Sequence, residues 1–153
     1  MRKLTLFALL LLFLGMAVMA QPDVDTTKAR VVVAENQEAQ VAYNAGVELL
    51  GKKQYEKAIG KFTEAIRHNK EFVQAYNNRA SAETQLKRYD AAIADYDKVI
   101  GLDPGRGEAY FNRGYAKFYK QQYGQAVKDF VLAGKKGFKS EKVYYYIGVA
   151  KFQ

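Results

Sequence analysis

Two pairs of opposite charge recur at one spacing. Arg79 precedes Asp95 by 16 residues, and Arg113 precedes Asp129 by the same 16. A guanidinium can grip a carboxylate through two parallel hydrogen bonds, so such pairs tie one segment to another. Exposed pairs stabilise by only about 0.2–1 kcal/mol, so these are read as marks of register. At the matching earlier positions, Ala45 and Lys61, both charges are missing together. Reactive chemistry is harder to assemble. His68 is the only histidine, and no cysteine occurs. His68 falls near the end of a predicted helix, where the helix dipole favours a cation, so a surface or capping role is expected. Without thiols, disulfides and thiolate catalysis are excluded, and the usual nitrogen and sulfur metal ligands are nearly absent. Asp95 and Asp97 stand two apart, a step that does not bring side chains together on a helix. Gly105-Arg106-Gly107 follows a helix and a proline rather than a strand, which argues against a phosphate loop. Neither an enzyme nor a bound cofactor or metal is expected.

The elements that position these charges follow from a 34-residue step. Ala58, Ala92 and Ala126 keep it, as do Tyr55, Tyr89 and Tyr123, and then Phe62, Tyr96 and Phe130. Gly46, Ala80, Gly114 and Gly148 extend it into a partial fourth unit. Periods of this size mean stacked units, and stacked units offer a surface rather than a catalytic pocket. Each unit reads as two helices around a tight turn. In the second unit the spacing predicts helices over Val73–Leu86 and Tyr89–Ile100, with apolar residues at three- and four-residue steps. Pro104 and Gly105 close that unit. The small residues let the two helices approach. A larger one there would overpack at about 1–3 kcal/mol. The aromatic series fills the space between units.

Spacing and residue type together resemble the tetratricopeptide-repeat family. The motifs are Tyr55-Glu56-Lys57-Ala58-Ile59, Tyr89-Asp90-Ala91-Ala92-Ile93 and Tyr123-Gly124-Gln125-Ala126-Val127, with Leu102-Asp103-Pro104 as the close. The openings Ala75-Tyr76-Asn77-Asn78-Arg79-Ala80 and Ala109-Tyr110-Phe111-Asn112-Arg113-Gly114 match as well. The first and third units lack the closing proline, carrying Lys70 and Phe138 there. The resemblance implies an all-α, right-handed superhelical solenoid of antiparallel helix pairs. It divides the chain into repeats at 39–72, 73–106 and 107–140, with a capping or partial fourth helix at 141–153.

The resemblance also implies a concave groove lined by the first helix of each unit, taking an extended peptide or a helix. Its lining here would be Tyr43, Val47 and Leu50, then Asn77, Ser81, Thr84 and Gln85, then Phe111, Tyr115, Phe118 and Tyr119, and last Tyr145, Val149 and Phe152. Lys117 and Lys151 stand where this family often buries an aromatic, so Phe118 and Phe152 are expected to take over that packing. Phe111, Tyr115 and Tyr145 are expected to meet a partner. Asn44, Asn78 and Asn112 form a ladder that ends at Tyr146, and each amide could pair with a peptide backbone. The basic clamp with which some members hold an acidic C-terminus is not reproduced. Only Asn78 has a counterpart, and Glu108 and Asn112 stand where cations would be needed.

The ends set the compartment. Arg2 and Lys3 precede a nearly unbroken apolar run, Leu4 to Met19, and Val18-Met19-Ala20 comes before Gln21. This order reads as a signal peptide over 1–20, cut after Ala20, rather than a membrane anchor. The expected product is exported, bacterial and periplasmic or otherwise envelope-associated, with no integral span after cleavage. The stretch 21–38 is a linker or an N-terminal extension, and Ala29–Ala34 is either added helix or an irregular pad. Beyond Ala20 the chain carries 22 basic and 16 acidic residues, a net of +6. The late lysines (Lys135, Lys136, Lys139, Lys142 and Lys151) suit either a solvated face or an acidic partner or surface. A nucleic-acid partner is not expected. The leading expectation is a scaffold for a protein or peptide. The alternative is self-association through the C-terminal helix, or the front of a larger assembly, and a small-ligand or glycan cleft is a third reading.

Overall fold

The computed structural model describes residues 26–152, which hold seven helices and no strand. They are α1 (Thr26–Gly51), α2 (Tyr55–His68), α3 (Val73–Gln85), α4 (Tyr89–Leu102), α5 (Gly107–Tyr119), α6 (Tyr123–Lys135) and α7 (Glu141–Lys151). The signal segment 1–20 and residues 21–25 of the expected extension lie outside the described residues. From Thr26 the extension is helical and runs without a break into the first repeat helix. Residues 35–153 form one compact unit. From α2 onward each helix packs on the next, and α3 also touches α5, as α5 touches α7. The second helices make no such contact with one another. First helices therefore lie side by side on the inner wall of an all-α solenoid.

The two-helix turns share one device. Lys53, Lys87 and Gln121 each take a left-handed φ near 60°, and they stand one repeat step apart. The next amide in each turn, of Gln54, Arg88 or Gln122, then donates back to the carbonyl of Leu49, Glu83 or Lys117. These bonds satisfy carbonyls that a helix end leaves open. Gly137 does the same work after α6, with φ 84°, and Phe138 N donates to the Ala133 carbonyl.

Close approach explains the small series. Ala58, Ala92 and Ala126 are fully buried, as are Phe62 and Phe130, and Tyr96 nearly so. A Cβ on Gly46 would meet the Phe62 ring at 2.6 Å, and one on Gly114 would meet Phe130 at 3.0 Å. Gly148 keeps the step, but a Cβ there would meet nothing within 4 Å. No second helix lies across it among the described residues. Gly107 has its own reason, since a Cβ there would sit 2.9 Å from the Ala133 carbonyl.

The Arg–Asp pairs join the two helices of a unit, and they are deeper than expected from sequence. Arg79 grips Asp95 through Nε and Nη2, both at 2.7 Å, and the Asp95 side chain is 9% exposed. Arg113 grips Asp129 at 2.9 and 2.5 Å, and Lys117 adds a third contact to Asp129 at 2.8 Å. Each arginine also reaches back one unit, Arg79 to Thr63 and Arg113 to Asp97. Hydrogen bonds to Asp95 raise the Arg79 pKa above its ordinary value. Burial works against the Arg113 charge, but Asp129 and Asp97 outweigh it and the shift is again upward. These pairs hold the units in register and keep their cations away from the groove.

In the second unit the place of Lys117 belongs to Glu83. Its Oε2 is buried without a hydrogen-bond partner, and the Arg88 Nη1 nearby is at 3.6 Å. Glu83→Lys, which copies the third unit, should place an ammonium beside Asp95 and stabilise the protein by about 0.5–1 kcal/mol. Urea unfolding followed by circular dichroism reads this directly. A loss of about 1 kcal/mol or more would mean that Arg88 depends on Glu83.

His68 ends α2 and is partly buried. Its side chain is 13% exposed, with Nδ1 2.8 Å from the Glu38 carboxylate on α1.

Candidate functional site

The inner wall bears a cleft of about 430 Å³ between α3, α5 and α7, with Tyr96 of α4 at its floor. Ser81, Thr84 and Gln85 line one side, and Phe111, Asn112 and Tyr115 line the centre. Lys142, Tyr145 and Tyr146 close the other side. Within each helix these positions face one way because residues three and four apart share one helical face.

The hydroxyls of Tyr96, Tyr115 and Tyr146 stay neutral. Burial pushes the Tyr96 phenol well above the ordinary range. Burial does the same at Tyr115, helped by hydrogen bonding with Tyr119, and Tyr146 follows in the same direction, chiefly by burial. The only formally charged side chain on the lining is Lys142. The cleft thus offers rings, hydroxyls and amides, a set suited to an uncharged chain with apolar anchors.

The expected groove residues divide into two groups. Ser81, Asn112, Tyr115 and Tyr145 meet at the cleft. Tyr119 is half exposed and stacks on Tyr89, with ring centroids 5.7 Å apart. Nearer the N-terminus the positions do not share that cleft. Val47 is exposed, and Asn44 accepts a hydrogen bond from Gln40. Tyr43 packs between units instead, 5.9 Å from Phe62 and 4.8 Å from Phe72. Its hydroxyl accepts from Asn78 Nδ2 at 3.1 Å, so that rung of the asparagine ladder is occupied internally. Asn77 Oδ1 is buried without a partner among the described residues.

Two aromatic expectations need correction. Phe111 is only 8% exposed, because it packs on Phe130 at 5.6 Å and on Phe138 at 5.0 Å. It is core that shows an edge to the cleft. Phe152 is 93% exposed, since it follows the last turn of α7 and no other helix covers it among the described residues. Phe118 does pack, against Tyr123 and Tyr146. Tyr146 was missed as a groove residue, although it ends the asparagine ladder. It touches Phe111, Tyr115, Phe118, Phe130 and Tyr145. Lys142 also lines the cleft, although in the sequence it is only one of the late lysines.

Among the described residues no group of three His, Cys, Asp or Glu is placed to hold a metal ion. No helix among them is long and apolar enough to cross a membrane.

No curated protein matches this sequence. Residues 43–107 match the family model described as tetratricopeptide repeat. Among solved structures the chain is similar to the Arabidopsis OM64 TPR domain, at 26% identity and a TM-score of 0.73, over 76% of this chain and 97% of that one. It is similar to the TPR2B domain of yeast Sti1 in its pHsp70 complex, at 28% identity and a TM-score of 0.72, over 76% and 98%. The first TPR of Spaghetti (RPAP3), bound to the HSP90 peptide SRMEEVD, shares the fold at 24% identity and a TM-score of 0.73, over 76% and 92%. The repeat step, the paired helices, the matching model and these structures agree that residues 43–107 belong to the tetratricopeptide-repeat family and that the chain shares its fold.

Proposed function

We propose that this protein is a non-enzymatic scaffold that holds a partner segment in the cleft on its inner wall, outside the cytoplasm in the bacterial envelope. The observation that carries the reading is the cleft itself: about 430 Å³, open along α3, α5 and α7, and lined by aromatic and neutral polar groups with Lys142 as the one charge. Solved repeats of the same fold bind peptides, as the Sti1 and Spaghetti complexes do. Their ligand type does not transfer with the fold. Glu108 and Asn112 occupy the places where an acidic tail would need cations, and Arg79, Arg113 and Lys117 are already committed to carboxylates. The occupant is therefore an uncharged or weakly charged segment with an apolar anchor. The envelope setting is supported by the apolar run Leu4–Met19 and the small residues ahead of Gln21.

The test compares wild type with a Ser81→Arg/Tyr115→Ala variant in a crosslinking pull-down from envelope extract. Capture should fall at least tenfold in the variant while circular dichroism is unchanged. Equal capture of every partner by both proteins would remove the cleft as the binding surface.

A further inference from the structure

On α3 and α5 every cation is committed. Arg79 holds Asp95, and Arg113 and Lys117 share Asp129. Lys142 is different. It gives the cleft lining its one formal charge, and it forms no ion pair among the described residues. Glu108 stands one repeat step earlier and Glu141 next to it in sequence, yet neither pairs with it. Lys142 also lies in the first turn of α7, the positive end of a helix, where a cation is disfavoured and an anion welcome.

The charge stands beside the rings. Lys142, Tyr145 and Tyr146 all line the cleft. They follow the three- and four-residue steps that share one helical face, with Cβ atoms about 5–6 Å apart. Phe111 and Tyr115 meet Tyr146 from α5 and complete the aromatic patch. An extended chain advances about 3.3 Å per residue. A side chain held by those rings therefore brings the residue one or two places away alongside Lys142.

We infer that Lys142 sets the specificity of the cleft by pairing with a side-chain carboxylate of the partner, an aspartate or glutamate one or two residues from its apolar anchor. The inference rests on the cleft being the binding surface and adds where the partner's charge must lie. Charge complementarity carries it, because no other cation lines the cleft and those nearest on α3 and α5 are already neutralised. The cleft is open along three helices, so the segment passes through and the acid is internal to it rather than a chain end. Lys142 is exposed, and an exposed pair contributes selectivity and salt dependence more than affinity.

The probe is a random peptide library on beads, acetylated at one end and linked as an amide at the other, so that side chains supply the only anions. Selected on the full chain, it should enrich an acid one or two residues from an aromatic or large aliphatic residue. Lys142→Met keeps the stem and removes the charge. It should bind an enriched acidic peptide about fivefold more weakly and show no charge preference in its own selection. Lys142→Glu should select lysine or arginine at the same place. It should also recover the original peptide once that peptide's acid is changed to lysine. Lys139→Met should bind as wild type does, since Lys139 is exposed but outside the cleft lining. Added salt should weaken wild type and leave Lys142→Met nearly unchanged.

The Ser81→Arg/Tyr115→Ala variant separates this inference from the reading beneath it. Peptides lost by that variant but indifferent to Lys142→Met would leave the cleft as the binding surface and overturn the role of Lys142. An acid preference that survives in that variant, or an equal loss in Lys139→Met, would overturn it by placing the pair elsewhere. Binding that demands a free C-terminal carboxylate would overturn it too. A library from which nothing is enriched would remove both readings.

Discussion

Phe130→Ala should destabilise the protein by about 3–5 kcal/mol, the cost of emptying a closed aromatic site. Phe130 is fully buried. It lies 5.6 Å from both Phe111 and Tyr146, centroid to centroid, and against Gly114, where even a Cβ would stand 3.0 Å from the ring. The space left behind has walls on two helices and an aromatic lid, so little of it can collapse. In a solenoid each unit leans only on its neighbours. The damage should therefore be local: amide exchange in α5, α6 and α7 accelerates, while α2 stays near its wild-type protection. Phe152→Ala is the matched control. At 93% exposure it should change stability by no more than about 0.5 kcal/mol. Urea unfolding with native-state hydrogen exchange measures both. A loss below about 1 kcal/mol for Phe130→Ala would show that the third unit is not packed around that ring.

How much of this was legible in sequence depends on how local the cause is. The alanine, glycine and aromatic series announce themselves, because a helix contact that excludes a Cβ tolerates only one residue size. Those residues recur at each step and place the helix pairs within a residue or two, as at α3 and α4. The turns were less readable. Lys53, Lys87 and Gln121 adopt left-handed φ without being glycine, so residue type carries no warning, and only their common 34-residue spacing could have hinted at a shared role. The direction of aromatics was least readable. Phe111 and Tyr115 stand one helical turn apart and both border the cleft, yet Phe111 is buried core that shows only an edge and Tyr115 is partly open. That difference is made by Phe138 and Tyr146, from a loop and a helix whose approach is a tertiary event. Lys117 stands out in the sequence as a lysine in an aromatic position, but its use depends on Asp129, which lies between it and Arg113.

That three-membered charge cluster carries the second large effect. Asp129→Leu should cost about 3–5 kcal/mol, because it leaves Arg113 and Lys117 facing each other without their shared anion. Their side chains are only 16% and 14% exposed, and that of Asp129 is 4% exposed, so water cannot replace the carboxylate at both. Arg113 would keep Asp97, whose side chain is 54% exposed, and an exposed partner of that kind stabilises by about 0.2–1 kcal/mol. Removing the whole cluster should be much milder than removing its centre. The triple variant Arg113→Ala/Lys117→Leu/Asp129→Leu should fall within about 1–2 kcal/mol of wild type, since a buried ion network and a well-packed apolar patch are often near parity. The chain already contains most of this experiment. At the matching places of the first unit stand Ala45, Leu49 and Lys61, and Lys61 turns to Glu64 at 2.7 Å instead. Helix α7 likewise carries Ile147 where Arg113 would recur. The fold therefore forms with or without the ions, and what Asp129→Leu adds is two buried cations without their anion. If Asp129→Leu and the triple variant unfold at the same urea concentration, the cost lies in lost hydrogen bonds rather than in stranded cations, and the cluster is contributing stability that apolar packing cannot replace.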